Sequence, residues 1–277
     1  PYRYEVIGEK KDLLSITRED LYEHYRGNYA PNNALLCAAG DFDSQAMLEK
    51  IRALYGGIPA AGRHSAMIEP ETPLQAERRV ELSGAGGTTY IQLAYRSPAA
   101  SSQDFFWLTV LDSLLTGPSS LSMFGGGGVS NRTSRLYQAL VDRDYAVAVN
   151  GSLQATIDPF LYTMLVVVHP NRAAEEVLAE TDAQIARVLN ERVSPDEIAR
   201  AVKQAKALFA YSTESITNQA FWLGYAEMFA QYDWFLNYIE SLEQADPDKL
   251  LQTAQKYLNP ASRVVGIFRP TDEGGAA

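Results

Sequence analysis

The chain has 277 residues, of which 46% are hydrophobic, so it is long enough for one large domain or for two smaller domains with separate cores. Its net charge of −10 argues against binding to a nucleic-acid backbone, which requires clustered lysine and arginine, and favours cationic partners. It has neither an apolar run of the roughly 18–20 residues that a membrane span needs nor a signal peptide, which favours a cytoplasmic protein without a membrane partner, and the absence of an initiator methionine indicates a processed chain or a piece of a longer one.

The first predicted helix begins at Thr17. The Thr17 side chain can cap the helix, and acidic residues fill its first turn. Leu21, Tyr25 and Tyr29 recur at a spacing of four residues and give the helix one apolar face. Pro31 ends it, because proline cannot continue a helix.

A strand, a second helix and a linker are predicted next. Residues 34–39 form an apolar run that predicts a buried strand, and residues 44–55 predict a helix. The single cysteine, Cys37, lies in the predicted strand, where we expect a buried and inert thiol. Residues 59–75 are rich in proline, alanine and glycine without periodicity, which is typical of a linker.

The remaining residues predict strands followed by a run of helices. Strands are predicted at 78–82, 88–95, 145–155, 160–168 and 263–268, and helices at 105–115, 173–190, 194–210, 216–230 and 247–258. The strands at 145–155 and 160–168 form a hairpin around the turn at Asp158. Segregation of strands from helices is typical of an α+β fold.

The chain contains an internal repeat. Residues 17–40 match residues 246–269 without gaps at an offset of 229 residues, and Leu21 falls on Leu250. Both copies predict a capped helix, a proline and a strand, but only the second copy is preceded by a full set of strands and helices. We therefore expect the following division: residues 1–58 as the tail of a truncated first domain, 59–75 as a linker, 76–270 as a complete second domain and 271–277 as a disordered tail.

Several motifs resemble the insulinase/pitrilysin-type zinc metallopeptidases, a family that includes mitochondrial processing peptidase. In the first part of the chain these motifs are Pro1-Tyr2, Ile7-Gly8, Thr17 with Glu19-Asp20-Leu21, Tyr29-Ala30-Pro31-Asn32-Asn33 and Gly40-Asp41. Later, Ser134-Arg135-Leu136-Tyr137 is similar to the helix start Ser-Arg-Leu-Phe/Tyr of the family. The resemblance implies a duplicated α+β fold in which each copy is a mostly antiparallel sheet with helices on one face. Two such domains enclose a chamber for an unfolded peptide.

The catalytic motif of the family is absent from this sequence. That motif, His-x-x-Glu-His, binds Zn²⁺ and activates a water molecule, and a downstream glutamate completes the coordination. His24, His64 and His169 contain no pair at the required spacing. The resemblance therefore implies that this chain has no catalytic residue and no metal ligand. The absence fits truncation as well as true inactivity, and Zn²⁺ is expected in the parent protein if the motif exists upstream of Pro1.

Two functions are consistent with this resemblance. In the first, the chain is the C-terminal portion of a zinc-dependent peptidase, which forms the chamber wall, binds the peptide substrate and docks on an N-terminal catalytic domain. In the second, it is an inactive homologue that acts as a binding or assembly subunit for a separate catalytic chain. Dimer formation is a further expectation.

The first candidate substrate site is a loop with four successive glycines: Gly125, Gly126, Gly127 and Gly128. It is similar to the glycine-rich loop of the non-catalytic subunit of mitochondrial processing peptidase. Glycine permits close backbone approach, and the N–H groups can bind an extended peptide or an anion. The spacing matches neither the P-loop nor Gly-x-Gly-x-x-Gly, which argues against nucleotide binding. A substrate-contacting loop and a plain connection both stay open.

The second candidate substrate site is Arg143 with Tyr145. Many family members hold the peptide backbone with an arginine and a tyrosine, and the matching positions here are Val141 and Val147. Arg143 and Tyr145 each lie two residues away, and a regular strand would place Tyr145 on the same face as Val147. They are candidates to replace the missing pair, or else a solvated helix-end residue and a packing residue.

Overall fold

The computed structural model describes residues 2, 4, 6–62, 71–118 and 131–271. The chain divides into two compact units. Unit 1 is Pro1–Glu71 with Ser215–Tyr225, and unit 2 is Thr72–Glu214 with Ala226–Ala277. None of the helices in the described ranges combines the length and the apolar character that crossing a membrane requires.

Unit 1 contains three helices near the start of the chain: α1 (Lys10–Ser15), α2 (Arg18–Asn28) and α3 (Ser44–Tyr55). The predicted cap of α2 is confirmed. The Asp20 backbone N–H donates to Thr17 Oγ1 at 3.2 Å, and the Thr17 N–H donates to Asp20 Oδ2 at 2.9 Å. The prediction of α3 is also confirmed, and the Asp43 side chain caps that helix.

The prediction of a buried strand at residues 34–39 is wrong. No strand is assigned there, although Ala34 has extended backbone angles, because a β-strand needs a hydrogen-bonded neighbour and the described residues supply none. Cys37 is half-exposed, not buried. Its sulfur lies against the backbone of helix α7 (Ile216–Phe229), where a Cβ added at Gly224 would be 3.3 Å from Sγ.

Unit 2 is built from one sheet and a layer of helices. The strands are β1 (Arg78–Ala85), β2 (Tyr90–Ser97), β3 (Ala146–Leu153), β4 (Phe160–Val168) and β5 (Arg263–Thr271). The helices are α4 (Gln103–Leu115), α5 (Ala174–Asn190), α6 (Pro195–Thr213), α8 (Tyr232–Leu236), α9 (Tyr238–Glu243) and α10 (Pro247–Tyr257), together with part of α7 and a short π-helix, Tyr137–Val141. The sequence did not predict α8 and α9.

The sheet is mixed, and most of its strand pairs are antiparallel. The strand order is β1-β5-β2-β4-β3. The pairs β5–β2, β2–β4 and β4–β3 are antiparallel, as expected, whereas β1 and β5 are parallel. The parallel pair arises because β5 returns to the sheet only after the helices, through a long crossover connection.

The core lies between the sheet and the helices. On β2, the side chains of Ile91, Leu93 and Tyr95 are fully buried and point to the helix side. Helix α4 is buried along nearly its whole length and contacts α6, α9 and α10. It therefore forms the centre of the helix layer, which explains why its sequence is apolar all round.

The internal repeat coincides with element boundaries. Helix α2 and helix α10 begin and end at equivalent positions, with an offset of 229 residues. The 3₁₀ turns Pro31–Asn33 and Pro260–Ser262 coincide in the same way. The two segments therefore adopt the same helix–turn conformation in their separate units.

Candidate functional site

The two ends of the described chain around the glycine loop meet beside β3. Gly125 to Gly128 lie outside the described residues. Gly117 has φ of +99°, and a Cβ there would lie 2.3 Å from Asn131 Cβ, so only glycine fits. Asn131 Nδ2 donates to the carbonyl oxygen of Val149 at 3.2 Å. The base of the loop is thus fixed to an edge strand of the sheet.

A buried hydrogen-bond network centred on a carboxylate lies next to the base of the loop. Asp112 Oδ1 accepts hydrogen bonds from Thr116 Oγ1 at 2.6 Å and from Tyr162 Oη at 2.8 Å, and all three side chains are buried. Burial and the neighbouring Asp112 carboxylate raise the pKa of Tyr162. The Tyr162 hydroxyl therefore stays protonated and donates a hydrogen bond to Asp112. Gly151 on β3 leaves space for these oxygens, since a Cβ there would lie 2.1 Å from Asp112 Oδ1.

The predicted site residues Arg143 and Tyr145 lie at the start of β3. Arg143 is exposed in a turn, and Tyr145 is half-buried with the guanidinium carbon of Arg172 4.2 Å above its ring centre. A β-bulge occurs between Ala146 and Ala148, so Val147 points to solvent and breaks the regular alternation. Tyr145 precedes β3, so the regular strand alternation assumed for Tyr145 and Val147 does not extend over both residues. A peptide-anchoring role for Arg143 and Tyr145 stays a prediction.

The arginine of the Ser-Arg-Leu-Tyr motif makes a structural ion pair. Arg135 Nε and Nη2 donate to the two carboxylate oxygens of Glu197 at 3.0 and 3.1 Å. Glu197 also closes the capping box of α6 with Ser194. The pKa of the Glu197 carboxyl lies below its usual range. Burial alone would raise this pKa, but the Arg135 charge and the hydrogen bonds from Ser194 outweigh burial. This motif joins the start of the short helix to α6.

A second buried ion cluster joins the sheet to α5. Arg263 on β5 donates from Nε to Glu77 Oε2 at 2.7 Å, from Nη2 to Asp182 Oδ2 at 2.9 Å and from Nη1 to Tyr95 Oη at 3.1 Å. Burial raises the pKa of Tyr95 to about 12. The sequence did not reveal this cluster, because its members are separated by up to 186 residues.

In the part of the chain that the structure describes, the side of the sheet that faces away from the helices is a largely apolar surface of exposed and half-exposed residues. The strand register aligns its side chains in rows across all five strands. We call two of these rows the open face: Val80, Gly266, Gln92, Leu165 and Asn150 in one row, and Leu82, Phe268, Tyr90, Val167 and Ala148 in the next. The rings of Tyr90 and Phe268 lie 6.2 Å apart. None of these ten residues is acidic, so the net negative charge of the chain does not lie in these two rows.

The described residues do not fit a catalytic zinc site. No three histidine, cysteine, aspartate or glutamate side chains within the described ranges are grouped in a way that could hold a metal ion. His24 is exposed and His169 is half-buried, while His64 lies outside the described residues. A catalytic zinc needs three protein ligands with an open position for water, and this part of the chain does not supply them.

The sequence also matches a known family over more than half of its length. Residues 15–205 match the family described as the Peptidase M16 inactive domain. The chain belongs to this family. The description of this family agrees with the resemblance drawn from the sequence motifs.

Relatives and solved structures agree with this M16 assignment. The chain is 23% identical over 217 residues to the mitochondrial-processing peptidase subunit beta of Saccharomyces cerevisiae, covering 76% of this chain and 46% of the relative. It is 26% identical over 191 residues to an uncharacterized zinc protease of Mycobacterium leprae, covering 65% and 39%. The crystal structure of a peptidase M16 inactive domain from Pseudomonas fluorescens superposes with a TM-score of 0.80 at 18% identity, covering 98% of this chain and 61% of that one. This M16 chain therefore spans about half the length, or less, of the curated relatives it matches.

Proposed function

We propose that this M16 inactive domain forms the substrate side of a zinc peptidase, where its open face binds an extended peptide while Zn²⁺ is held elsewhere in the parent protein. The observation that carries the proposal is the match of residues 15–205 to a peptidase domain described as inactive. Two relatives named as a processing peptidase and a zinc protease support a parent protein of this class.

The chemistry of the open face indicates which peptides it binds. Its exposed side chains are mainly apolar, with the amides of Gln92 and Asn150 beside them. An uncovered apolar sheet surface binds ligands by burial of apolar side chains, and the amides can bond to a peptide backbone. We therefore expect extended peptides with apolar side chains to bind better than the basic peptides that net charge alone suggests.

The edge of the sheet supplies the second part of the proposed site. Gly125 to Gly128, Arg143 and Tyr145 belong to the segment that leads into β3, and β3 is an edge strand. We propose that a peptide on the open face extends past the start of β3 and that Arg143 and Tyr145 contact its backbone there, in place of the arginine and tyrosine that Val141 and Val147 replace. Contact between the peptide and Gly125 to Gly128 stays a prediction from the sequence.

A matched pair of variants tests the open face. Leu82 and Tyr211 are both strongly exposed in unit 2, but Leu82 lies on the open face and Tyr211 on helix α6. We expect Leu82→Asp to weaken binding of a fluorescently labelled apolar peptide by about tenfold or more, because a carboxylate must lose water to stay in the contact. Tyr211→Asp should leave the peptide affinity measured by fluorescence anisotropy unchanged. Arg143→Ala should lower that affinity if the residues at the sheet edge contact the peptide. Equal affinity of the Leu82 and Tyr211 variants would contradict the proposed surface.

The alternative function is that of an inactive subunit beside a separate catalytic chain. The two valines at the positions of the expected arginine and tyrosine favour it. The complete gene product distinguishes the two. A His-x-x-Glu-His helix in its upstream repeat supports the peptidase, and an upstream repeat without that motif supports the subunit.

A further inference from the structure

A groove opens in the helix layer of unit 2, between α6 and the end of α9. Its volume is about 510 Å³, within the range of roughly 300–1,000 Å³ that is typical of small-molecule sites. Seven residues of α6, of α9 and of the connection after α9 line the groove. The open face is the side of the sheet that faces away from the helices, so the groove lies on the other side of unit 2.

The residue spacing on α6 gives the groove an apolar floor and a cationic rim. Ile198 and Val202 are four residues apart, so they lie on one face of the helix, and both are buried. Ala199, Lys203 and Lys206 follow one another at helical spacing on the neighbouring, more exposed face. The small side chain of Ala199 leaves the space above the floor open between the two lysines and the connection after α9.

One positive charge at the rim of the groove is uncompensated. Lys206 forms an ion pair with Glu243 at the end of α9, across the groove. Lys203, one turn earlier on α6, has no hydrogen-bond or ion-pair partner among the residues that the structure describes. The rim therefore already holds one carboxylate, that of Glu243, and offers a second lysine beside it for another.

We propose that this groove binds a small aliphatic carboxylate of the fatty-acid class, with its carboxylate at Lys203 and its hydrocarbon chain over Ile198 and Val202. Burial of the hydrocarbon chain on the apolar floor supplies the driving force. The lysine ammonium is a compact charge on a flexible stem, so it can reach a terminal carboxylate at the rim. The apolar stems of Lys203 and Lys206 can lie along the ligand chain while their ammonium groups stay in water.

The size and the charge of the groove favour this ligand over a protein or an amphipathic cation. A stable protein interface uses about 20–30 residues on each side, whereas seven residues line the groove. The chain as a whole has a net charge of −10 and attracts cations, but an amphipathic cation in the groove would meet the uncompensated charge of Lys203. The proposal goes beyond the proposed function, because it concerns other residues on the other side of unit 2.

Isothermal titration calorimetry of the 277-residue chain with three probes of equal chain length tests the ligand class. The probes are decanoate, decanol and decyltrimethylammonium, each below its critical micelle concentration. We expect one decanoate to bind per chain, at least about threefold more tightly than decanol, because an exposed ion pair changes affinity by a few-fold, and the cation to bind most weakly. Equal affinity for decanoate and decanol, or binding of several decanoate molecules per chain, would overturn the proposal. Binding of a helical peptide of leucine and glutamate, without binding of decanoate, would overturn it in favour of a protein partner.

Two matched pairs of variants locate the decanoate site. Lys203→Glu should weaken decanoate binding by about tenfold or more, because it replaces attraction by repulsion, whereas the same charge reversal in Arg187→Glu on α5 should change the affinity by less than about twofold. Ala199→Phe should fill the groove and weaken binding by about tenfold or more, whereas Ala210→Phe, farther along α6 and outside the groove, should leave the affinity unchanged.

All four substituted residues are exposed, so the variants should keep the fold, which far-ultraviolet circular dichroism checks. Equal losses within either pair, or full affinity of both Lys203→Glu and Ala199→Phe, would overturn the proposed site. The open-face variant Leu82→Asp should leave decanoate affinity unchanged. Loss of peptide binding with decanoate binding intact would count against the proposed function alone, and the reverse result would count against this groove alone.

Discussion

At the scale of single residues, the close approach of β3 to α4 depends on Gly151. A methyl group there would lie 2.1 Å from Asp112 Oδ1 and 2.2 Å from Thr116 Oγ1, inside a buried hydrogen-bond network. We expect Gly151→Ala to lower the free energy of unfolding by about 1–3 kcal/mol or more, because overpacking forces these groups apart. Gly87→Ala is the control, since a Cβ there meets nothing within 4 Å, and its expected change is within about 0.5 kcal/mol. Urea denaturation followed by tryptophan fluorescence measures the free energy of unfolding of both variants. Equal changes in the two variants would show that β3 can shift away from α4 to accommodate the added methyl group.

The Arg263 cluster gives unit 2 a dependence on acid pH. Burial opposes the charged form of Glu77, but hydrogen bonds from Arg79 and Arg263 outweigh burial, so its pKa in the fold lies below the ordinary value of 4.5. A carboxyl whose pKa is lower in the folded state stabilises the fold above its unfolded pKa and loses that contribution as pH falls through the folded value. We expect the free energy of unfolding to fall between about pH 5 and about pH 3, and to fall less steeply in Glu77→Gln. The exposed Glu23→Gln variant should keep the wild-type slope, and a Glu77→Gln slope equal to wild type would rule out this contribution.

At the scale of elements, the repeat allows one substitution to be compared at two equivalent sites. Leu250 on α10 is fully buried, so Leu250→Ala should lower the free energy of unfolding of unit 2 by about 2–5 kcal/mol through lost burial and a cavity. Leu21→Ala on α2 should change stability by no more than about 0.5 kcal/mol, because the side chain is mostly in water. Chemical denaturation of the two variants of the 277-residue chain measures this difference. Similar losses at both sites would mean that α2 already has a covered core.

The elements that the sequence predicted well carry their own local signals. Helix α3 and helix α6 have capping side chains at Asp43 and Ser194, and β4 was predicted at its observed bounds from its apolar run. The failures depend on partners that are distant in sequence. Residues 34–39 have an apolar strand-like sequence, but none of the described residues pairs with them as a strand, and the bulge at Val147 depends on how β3 pairs with β4. The ion cluster around Arg263 was invisible for the same reason.

At the scale of the whole molecule, the family was readable from the sequence and the site was readable only in part. The motif Ser134-Arg135-Leu136-Tyr137 contributed to the family resemblance, yet its arginine proves to be a structural partner of Glu197. Net charge suggested cationic partners, but the two rows of the open face carry no acidic residue because the alternation of strand residues places apolar and amide side chains there. Chemistry that depends on which face a side chain occupies needs the strand register, and the sequence alone does not provide that register.

Native mass spectrometry of the 277-residue chain, mixed with Zn²⁺ and an extended apolar peptide, most directly tests whether this M16 inactive domain binds peptide without catalysis. We expect a one-to-one complex of the chain with intact peptide and no stoichiometric zinc, because the described residues offer an exposed apolar sheet surface but no group of metal ligands. The Leu82→Asp variant should show much less of the complex. Tightly bound stoichiometric zinc, cleaved peptide, or the absence of any peptide complex would contradict the proposal.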